Sequence, residues 1–420
     1  MVFGDKTMRP SMAAVQVFLL TCLVATNVYA QAFKTLAFFN GTDGAHPGSP
    51  FVVVGNTLYG TTTTDALGGD GSVFSVPVSG GNPTALGTFN GPNGEHPYAS
   101  LTLVGNTLYG TTNGGPITNF VGTVFSIPLS GGNPTTLASL GFSNSHLPFG
   151  SLTPVGNALY GTTSGGGAMD DGTVFSIPLG GGTPTILASF NGSNGQSPEG
   201  RVTLSSDGKT LYGTTTYGGD NGSGTVYSVP VSGGTPTVLA SFNGANGAGF
   251  KSALTLSGNT LYGRTQQGGG PGFGTIFSVP VAGGALTVLK SLDFSNDENP
   301  PSDLTLIGGK LYGTINGGGP AGNGYIFSLN SDGSNFVDLF EFNGANGSYS
   351  YRGLTRSGNV LYGTTYDGGI GYQMFDTLSG FGTVFALTVP EPSTLALLAA
   401  GATGILIWAG RRWRKDSVIA

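Results

Sequence analysis

Between residues 31 and 389 the chain alternates short apolar runs with glycine-rich turns at one persistent period. The clearest landmark is Leu-Tyr-Gly, with tyrosines Tyr59, Tyr109, Tyr160, Tyr212, Tyr262, Tyr312 and Tyr362 spaced by 50, 51, 52, 50, 50 and 50 residues. Around the second copy, Leu101 to Val104 predicts a first strand, Gly105-Asn106 a hairpin turn, and Thr107 to Thr112 a second strand. A glycine-rich loop leads to a third strand over Gly122 to Leu129. Ser130-Gly131-Gly132 then turns the chain into a fourth strand from about Pro134 to Leu140. Four short antiparallel strands in about 50 residues make one propeller blade, and seven copies predict an all-β, seven-bladed β-propeller.

Strand bookkeeping sharpens this expectation. The first three strands of the unit occur seven times, and so does the fourth, but its first copy, Phe33 to Phe39, precedes every Leu-Tyr-Gly. Its matching third strand is the last one, Thr383 to Thr388. A ring closed by the N-terminal strand uses every strand. An open solenoid or a sandwich would leave incomplete units at both ends and would call for capping repeats.

Both faces of a propeller blade are covered by neighbours, so the repeated tyrosines are expected to pack between blades rather than to form a sugar platform. The third-strand aromatics Phe74, Phe125, Phe175, Tyr227, Phe277, Phe327 and Phe385 are expected to do the same. Each glycine after a tyrosine suits close backbone approach. Antiparallel strands place the short first-to-second and third-to-fourth turns on one face and the variable loops on the other. Function in such scaffolds sits on loops held by rigid elements. The candidate binding loops therefore carry Asp170, Asp171, Asp220, Tyr366, Asp367, Tyr372, Phe375 and Asp376, the last five in or beside the longest loop.

Other polar repeats read as architecture. The loops that start at Asn40, Asn90, Asn191, Asn243 and Asn343 follow Asn-Gly-x-Asn/Asp-Gly, the chemistry of turns needing positive φ, and most copies lack the carboxylate that calcium would want. His46, His96 and His146 occupy one loop position in three consecutive units, a blade apart, so they point along a ring and no metal site is expected. No phosphate loop, zinc motif or nucleophile triad is present, and neither cofactor nor catalytic residue is assigned.

The two ends change the picture from a bare propeller to an exported one. Lys6 and Arg9 precede an apolar stretch from Met12 to about Val24, and Val28 and Ala30 supply the small residues of a cleavage site between Ala30 and Gln31. Residues 1–30 thus read as a signal peptide, and the single cysteine, Cys22, lies inside it. At the other end, Val389-Pro390-Glu391-Pro392 leads into an uncharged stretch from Ser393 to Gly410, followed by Arg411, Arg412, Arg414 and Lys415. Eighteen helical residues span roughly 27 Å, enough to cross a bilayer core, and the basic cluster would stay cytoplasmic. Residues 31–390 hold nine Lys or Arg against eighteen Asp or Glu, a net −9 compared with −6 for the whole chain. So acidic a body is a poor partner for nucleic acid, whose binding rests on phosphate neutralisation.

The segment from Val389 to Lys415 resembles the PEP-CTERM sorting signal of Gram-negative bacteria, with Pro-Glu-Pro, apolar helix and basic cluster in the family's order. That resemblance implies an exosortase-type processing enzyme as partner, transient anchoring in the inner membrane through residues 390–415, and delivery to the envelope, outer surface or extracellular space. The unit between them looks like the GloVer tandem repeat of bacterial exported proteins. The residues that carry this are Gly172-Thr173-Val174-Phe175-Ser176, Gly180 to Gly182, Leu187 to Gly192 and Leu211-Tyr212-Gly213-Thr214-Thr215. It covers residues 31–389 and implies a surface location with no assigned activity. Taken together, the expectation is a non-catalytic exported propeller that binds a polysaccharide or protein through its variable face. The alternative is a polysaccharide hydrolase or lyase using acidic residues of those loops.

Overall fold

The computed structural model describes residues 32–48, 50–64, 69–115, 122–141, 145–292, 303–370 and 380–390. Seven antiparallel sheets follow one another through them, and the compact body runs from Lys34 to Ala386. Blade 2 shows the pattern, with Thr102–Val104, Thr107–Thr112, Thr123–Pro128 and Thr135–Ser139 hydrogen-bonded in that order. Gly105, at φ +59°, makes the first turn, a conformation glycine adopts without strain. Blade 7 combines Thr355–Ser357, Val360–Thr365 and Thr383–Thr388 with Phe33–Phe38 as its outermost strand, as the bookkeeping predicts. Blade 1 adds something the pattern hides: Ala45–Pro47 pairs with Thr57–Thr64, giving that sheet five strands.

Packing explains the apolar pattern. On the third strand of blade 2, the successive residues Val124 and Phe125 point to opposite faces, and both are fully buried because a neighbouring blade covers each face. Each core cluster straddles a seam. Tyr109, Val124, Ala138 and Leu140 of blade 2 meet Leu152, Leu159, Phe175 and Ile177 of blade 3. At the closing seam, Leu36, Ala37, Phe39, Tyr362 and Val384 of blade 7 meet Phe51, Leu58, Phe74 and Val76 of blade 1. Six of the Leu-Tyr-Gly tyrosines lie in or against these seam clusters, Tyr312 is buried as well, and all seven third-strand aromatics are fully buried. A Cβ added to Gly110 would stand 2.6 Å from Phe125 Cζ, so only glycine admits the ring there.

Around the axis, innermost strands are linked blade to blade by threonine hydroxyls. Thr102 Oγ1 donates to Leu152 O at 2.6 Å, Thr203 Oγ1 to Leu254 O at 2.6 Å, and Thr355 Oγ1 to Phe51 O at 3.0 Å, the last across the closing seam. On the outer side, Gly132 N–H donates to Leu86 O and Gly81 N–H to Leu36 O, so the N-terminal strand is held like any other fourth strand. Blade 5 departs from the pattern at Arg264, where the other six blades carry threonine. Its fully buried side chain crosses to blade 6, donates to Thr314 O at 2.8 Å and lies 5.2 Å over the Phe327 ring.

Candidate functional site

The connections from the fourth strand of one blade to the innermost strand of the next build the variable face. Five of the seven begin with an Asn-Gly turn whose side-chain oxygens are used locally: Asn93 Oδ1 accepts Asn90 N–H at 2.9 Å, and Asn90 Oδ1 accepts Asn93 N–H at 3.3 Å. A left-handed residue follows at equivalent positions, among them His46, His96, Leu147, Ser197 and Tyr349, with φ between 53° and 59°. The three histidines act as clamps between elements. His96 Nδ1 lies 3.0 Å from Thr63 O and His46 Nδ1 3.1 Å from Tyr366 O, while His146 Nε2 lies 3.7 Å from Asp170 Oδ1.

The chain then turns to the axis, and here the structure assembles what the sequence keeps apart. Tyr98, Phe149, Glu199, Lys251 and Tyr351 each stand just before an innermost strand in five different blades. With Arg352 they surround two adjoining cavities. One of about 220 Å³ is lined by Tyr98, Phe149, Glu199, Lys251 and Arg352. The other, of about 380 Å³, shares Tyr98, Lys251 and Arg352 and adds Thr63, Gln266, Asn316, Tyr351 and Tyr366. Deeper along the axis the space narrows to about 30 Å³ between residues including Ser100, Ser151, Arg201, Ala253 and Asp303. It widens again to about 280 Å³ around Pro50, Ser100, Arg201 and Thr355. A roomier depression of about 470 Å³ at blade 1 is lined chiefly by small turn residues and lacks such a set of aromatic faces and donors.

Electrostatics within the cup are uneven. Lys251 Nζ and Glu199 Oε2 pair at 3.3 Å, with Glu199 largely shielded from solvent and Lys251 half exposed. Burial raises the Glu199 carboxyl above the ordinary carboxylate range, against the pull of Lys251. Burial likewise lowers the Arg352 guanidinium from its usual value, while the nearby Asp303 carboxylate raises it; at neutral pH it stays charged. Arg352 Nε is buried and has no hydrogen-bond partner, and no ion pair joins its guanidinium to a described residue. Asp303 Oδ1 is instead taken by the Ala253 N–H at 2.6 Å.

An aromatic path leads into this cup. Tyr349, 37% exposed, stacks on Tyr351 at 6.3 Å; Tyr351 meets Tyr366 edge-on at 5.4 Å; Tyr366 stacks on His46 at 4.5 Å. Among the residues expected from sequence, Tyr366 therefore reaches the cup and Asp367 holds its neighbour His46, at 3.3 Å from Nδ1. Asp170, at φ +60° and 73% exposed, accepts the Gly166 N–H at 2.7 Å and shapes its own loop. Neither Asp170, Asp171 nor Asp220 lines the cup. Tyr372, Phe375 and Asp376 lie outside the described residues, as do Ala30, Gln31, Glu391, Pro392 and the basic cluster Arg411, Arg412, Arg414 and Lys415. Sequence reading did not single out Tyr98, Phe149, Glu199, Lys251 or Arg352.

The His46 clamp gives a pH prediction. The Asp367 carboxylate raises the His46 pKa above its ordinary 6.5, with burial opposing. The clamp's contribution to stability is therefore complete below the unfolded value and is lost as pH rises through the folded one. Denaturant midpoints should fall between about pH 5.5 and about pH 8 in the natural protein. Asp367→Asn should flatten that fall.

Comparison with known proteins places these features. The Gloeobacter/Verrucomicrobia repeat profile matches residues 22–168 and 152–375, and the PEP-CTERM protein-sorting motif matches residues 388–415. The latter motif implies export, processing by an exosortase and association with the envelope or surface. No curated protein matches the chain. Among solved structures, a puromycin-hydrolyzing peptidase of Mycobacterium tuberculosis is 14% identical over 79% of this chain and 51% of its own, with TM-score 0.49. The chain thus spans about half the length of that peptidase. The PQQ-bound aldose sugar dehydrogenase of Streptomyces coelicolor is 14% identical over 86% of this chain and 98% of its own, with TM-score 0.44. A gluconolactonase of Xanthomonas campestris is 16% identical over 64% of this chain and 79% of its own, with TM-score 0.39. Likenesses this remote carry nothing about ligand or chemistry. The repeat profile spans most of the sequence, and the chain belongs to the Gloeobacter/Verrucomicrobia repeat family, with a PEP-CTERM sorting motif at its C-terminus.

Proposed function

We propose that this exported protein is a non-catalytic binding module that takes a glycan into the axial cup of its variable face. One observation carries the reading: four aromatic rings, from Tyr98, Phe149, Tyr351 and Tyr366, and the polar groups of Lys251, Arg352, Gln266 and Asn316 line two adjoining hollows that share Tyr98, Lys251 and Arg352. Sugars need both kinds of surface, aromatic faces for their C–H sides and convergent donors and acceptors for their hydroxyls. The cup is concave and a few hundred Å³ in volume, the scale of a small-molecule or chain-end site rather than of a protein interface. It also replaces the outer loop carboxylates as the expected point of contact.

Glycan-array binding by the full chain tests this. The natural protein should retain a defined set of glycans, and Tyr98→Ala with Tyr366→Ala should lower their affinity by about 10- to 100-fold, each lost aromatic contact being worth roughly 1 kcal/mol or more. Binding that survives the double substitution would refute an axial site. A second reading is favoured by the shielded Glu199, whose raised pKa suits a general acid in a polysaccharide hydrolase or lyase. That reading requires turnover of a bound glycan, abolished by Glu199→Gln.

A further inference from the structure

We propose that the axial cup selects an acidic saccharide, receiving the carboxylate of a uronic acid residue against Arg352 and Lys251 while Tyr98 and Tyr366 flank its ring. The inference rests on the glycan reading and adds the ligand's charge class. Its starting point is an imbalance. Lys251 and Glu199 offset one another across 3.3 Å, and Arg201 and Asp303 bring opposite charges to the passage below, so the axial groups keep one positive charge in excess and Arg352 is the cation that lines the cup without an ion pair. That group has a buried Nε without a hydrogen-bond partner and no ion pair with any described residue. A guanidinium so sparsely paired within the protein gains more from an anion reaching the part of it that lines the cup than a fully solvated one would. The Asp303 carboxylate acts on this charge from the narrow passage below, but its Oδ1 accepts the Ala253 N–H and it makes no ion pair with the guanidinium.

The chemistry of the opening follows. A planar guanidinium offers a fork of donors that matches a carboxylate, and in a partly desolvated hollow such charge-assisted bonds are stronger than neutral ones. Lys251 is half exposed and can share its ammonium between Glu199 and a bound carboxylate. Tyr98 and Tyr366 lie close enough to Arg352 to act on its charge and line the same cavity, so a carboxylate there is attached to something that packs on aromatic faces. A sugar acid combines those two features in one residue. The body as a whole carries excess negative charge, so this positive spot is a local feature and not a general attraction for anions.

The test compares a short oligogalacturonate with its methyl ester, which keeps the ring and removes the charge, and with a sulfated neutral oligosaccharide, each titrated against the full chain. The acid form should bind about 10- to 100-fold more tightly than the ester. Arg352→Gln should erase that ratio by weakening the acid form far more than the ester, and Lys251→Gln, at a half-exposed position, should shrink it. Equal binding of acid and ester, lost in Tyr366→Ala, would overturn the acid preference and leave the glycan reading standing. Sulfated sugar bound as tightly as the uronate would overturn carboxylate selection. Binding of neither acid nor ester, with other neutral glycans retained, would refute this inference alone. Absence of binding to any glycan would overturn both.

Discussion

Deletion of Lys34 to Phe39 is expected to abolish cooperative folding of the propeller. The segment supplies the outer strand of blade 7 and places Leu36, Ala37 and Phe39 in the closing seam, where the Phe39 ring meets Phe74 edge-on at 5.0 Å. Burying Leu36 and Phe39 contributes about 2 to 3 kcal/mol each. The backbone bonds from Phe39 N–H to Gly382 O and from Gly81 N–H to Leu36 O are lost too, at about 1 kcal/mol apiece. Deletion also bares the edge of Thr383–Thr388, an invitation to aggregation. The sum approaches the ~5–15 kcal/mol that holds a typical domain together. Both tryptophans, Trp408 and Trp413, are in the tail, so far-UV circular dichroism in urea is the suitable readout. A broad or absent transition is expected, and restoration of a sharp one when the same residues are grafted after Pro390. An unchanged midpoint would mean that the ring does not need its closing strand.

The second large effect is expected at Phe250, where core and cup meet. Pro47, Pro97, Pro148 and Pro198 take the corresponding place before other innermost strands. In blade 5 a fully buried Phe250 contacts Phe242 at 4.4 Å and Phe277 at 5.8 Å, and its carbonyl accepts the Thr216 hydroxyl at 2.7 Å. Phe250→Ala should cost about 3 to 5 kcal/mol through lost burial and the cavity left behind. It should also loosen the adjoining Lys251, and with it the pair to Glu199. Urea titration should show the lower midpoint, and glycan affinity measured well below that midpoint should fall as well. Phe250→Pro, which restores the residue of the other blades, should lose less stability than alanine does. Stability lost with affinity untouched would uncouple the seam from the site.

Much of the architecture is legible in the sequence because a repeated unit must solve the same packing problem seven times. Leu-Tyr-Gly, the third-strand aromatics and the Gly-Asn turns recur because each seam demands them, and the solitary Phe33–Phe38 strand announces how the ring closes. The fifth strand at Ala45–Pro47 was hidden by its length, its proline and a histidine in the left-handed region. The cup was hidden for another reason. Tyr98, Phe149, Glu199 and Lys251 are about 50 residues apart and Arg352 about 100 further on, and no local pattern binds them. Only ring closure brings them to one axis, whereas loop length directs attention outward to Asp170 and Asp220. A signal was available. Charged residues are 9% of the chain, yet Glu199, Arg201, Lys251, Asp303 and Arg352 all fall just before an innermost strand. In a closed ring that position faces the centre.

Specificity, on this proposal, lies on the axis and not in the outer loops. A crystal structure of the protein with a bound acidic oligosaccharide decides it. The expected result is a sugar ring against Tyr98 and Tyr366 with its carboxylate on Arg352. A saccharide seated instead on the outer loops around Asp170 and Asp220, with the axial cup holding only solvent, would contradict it.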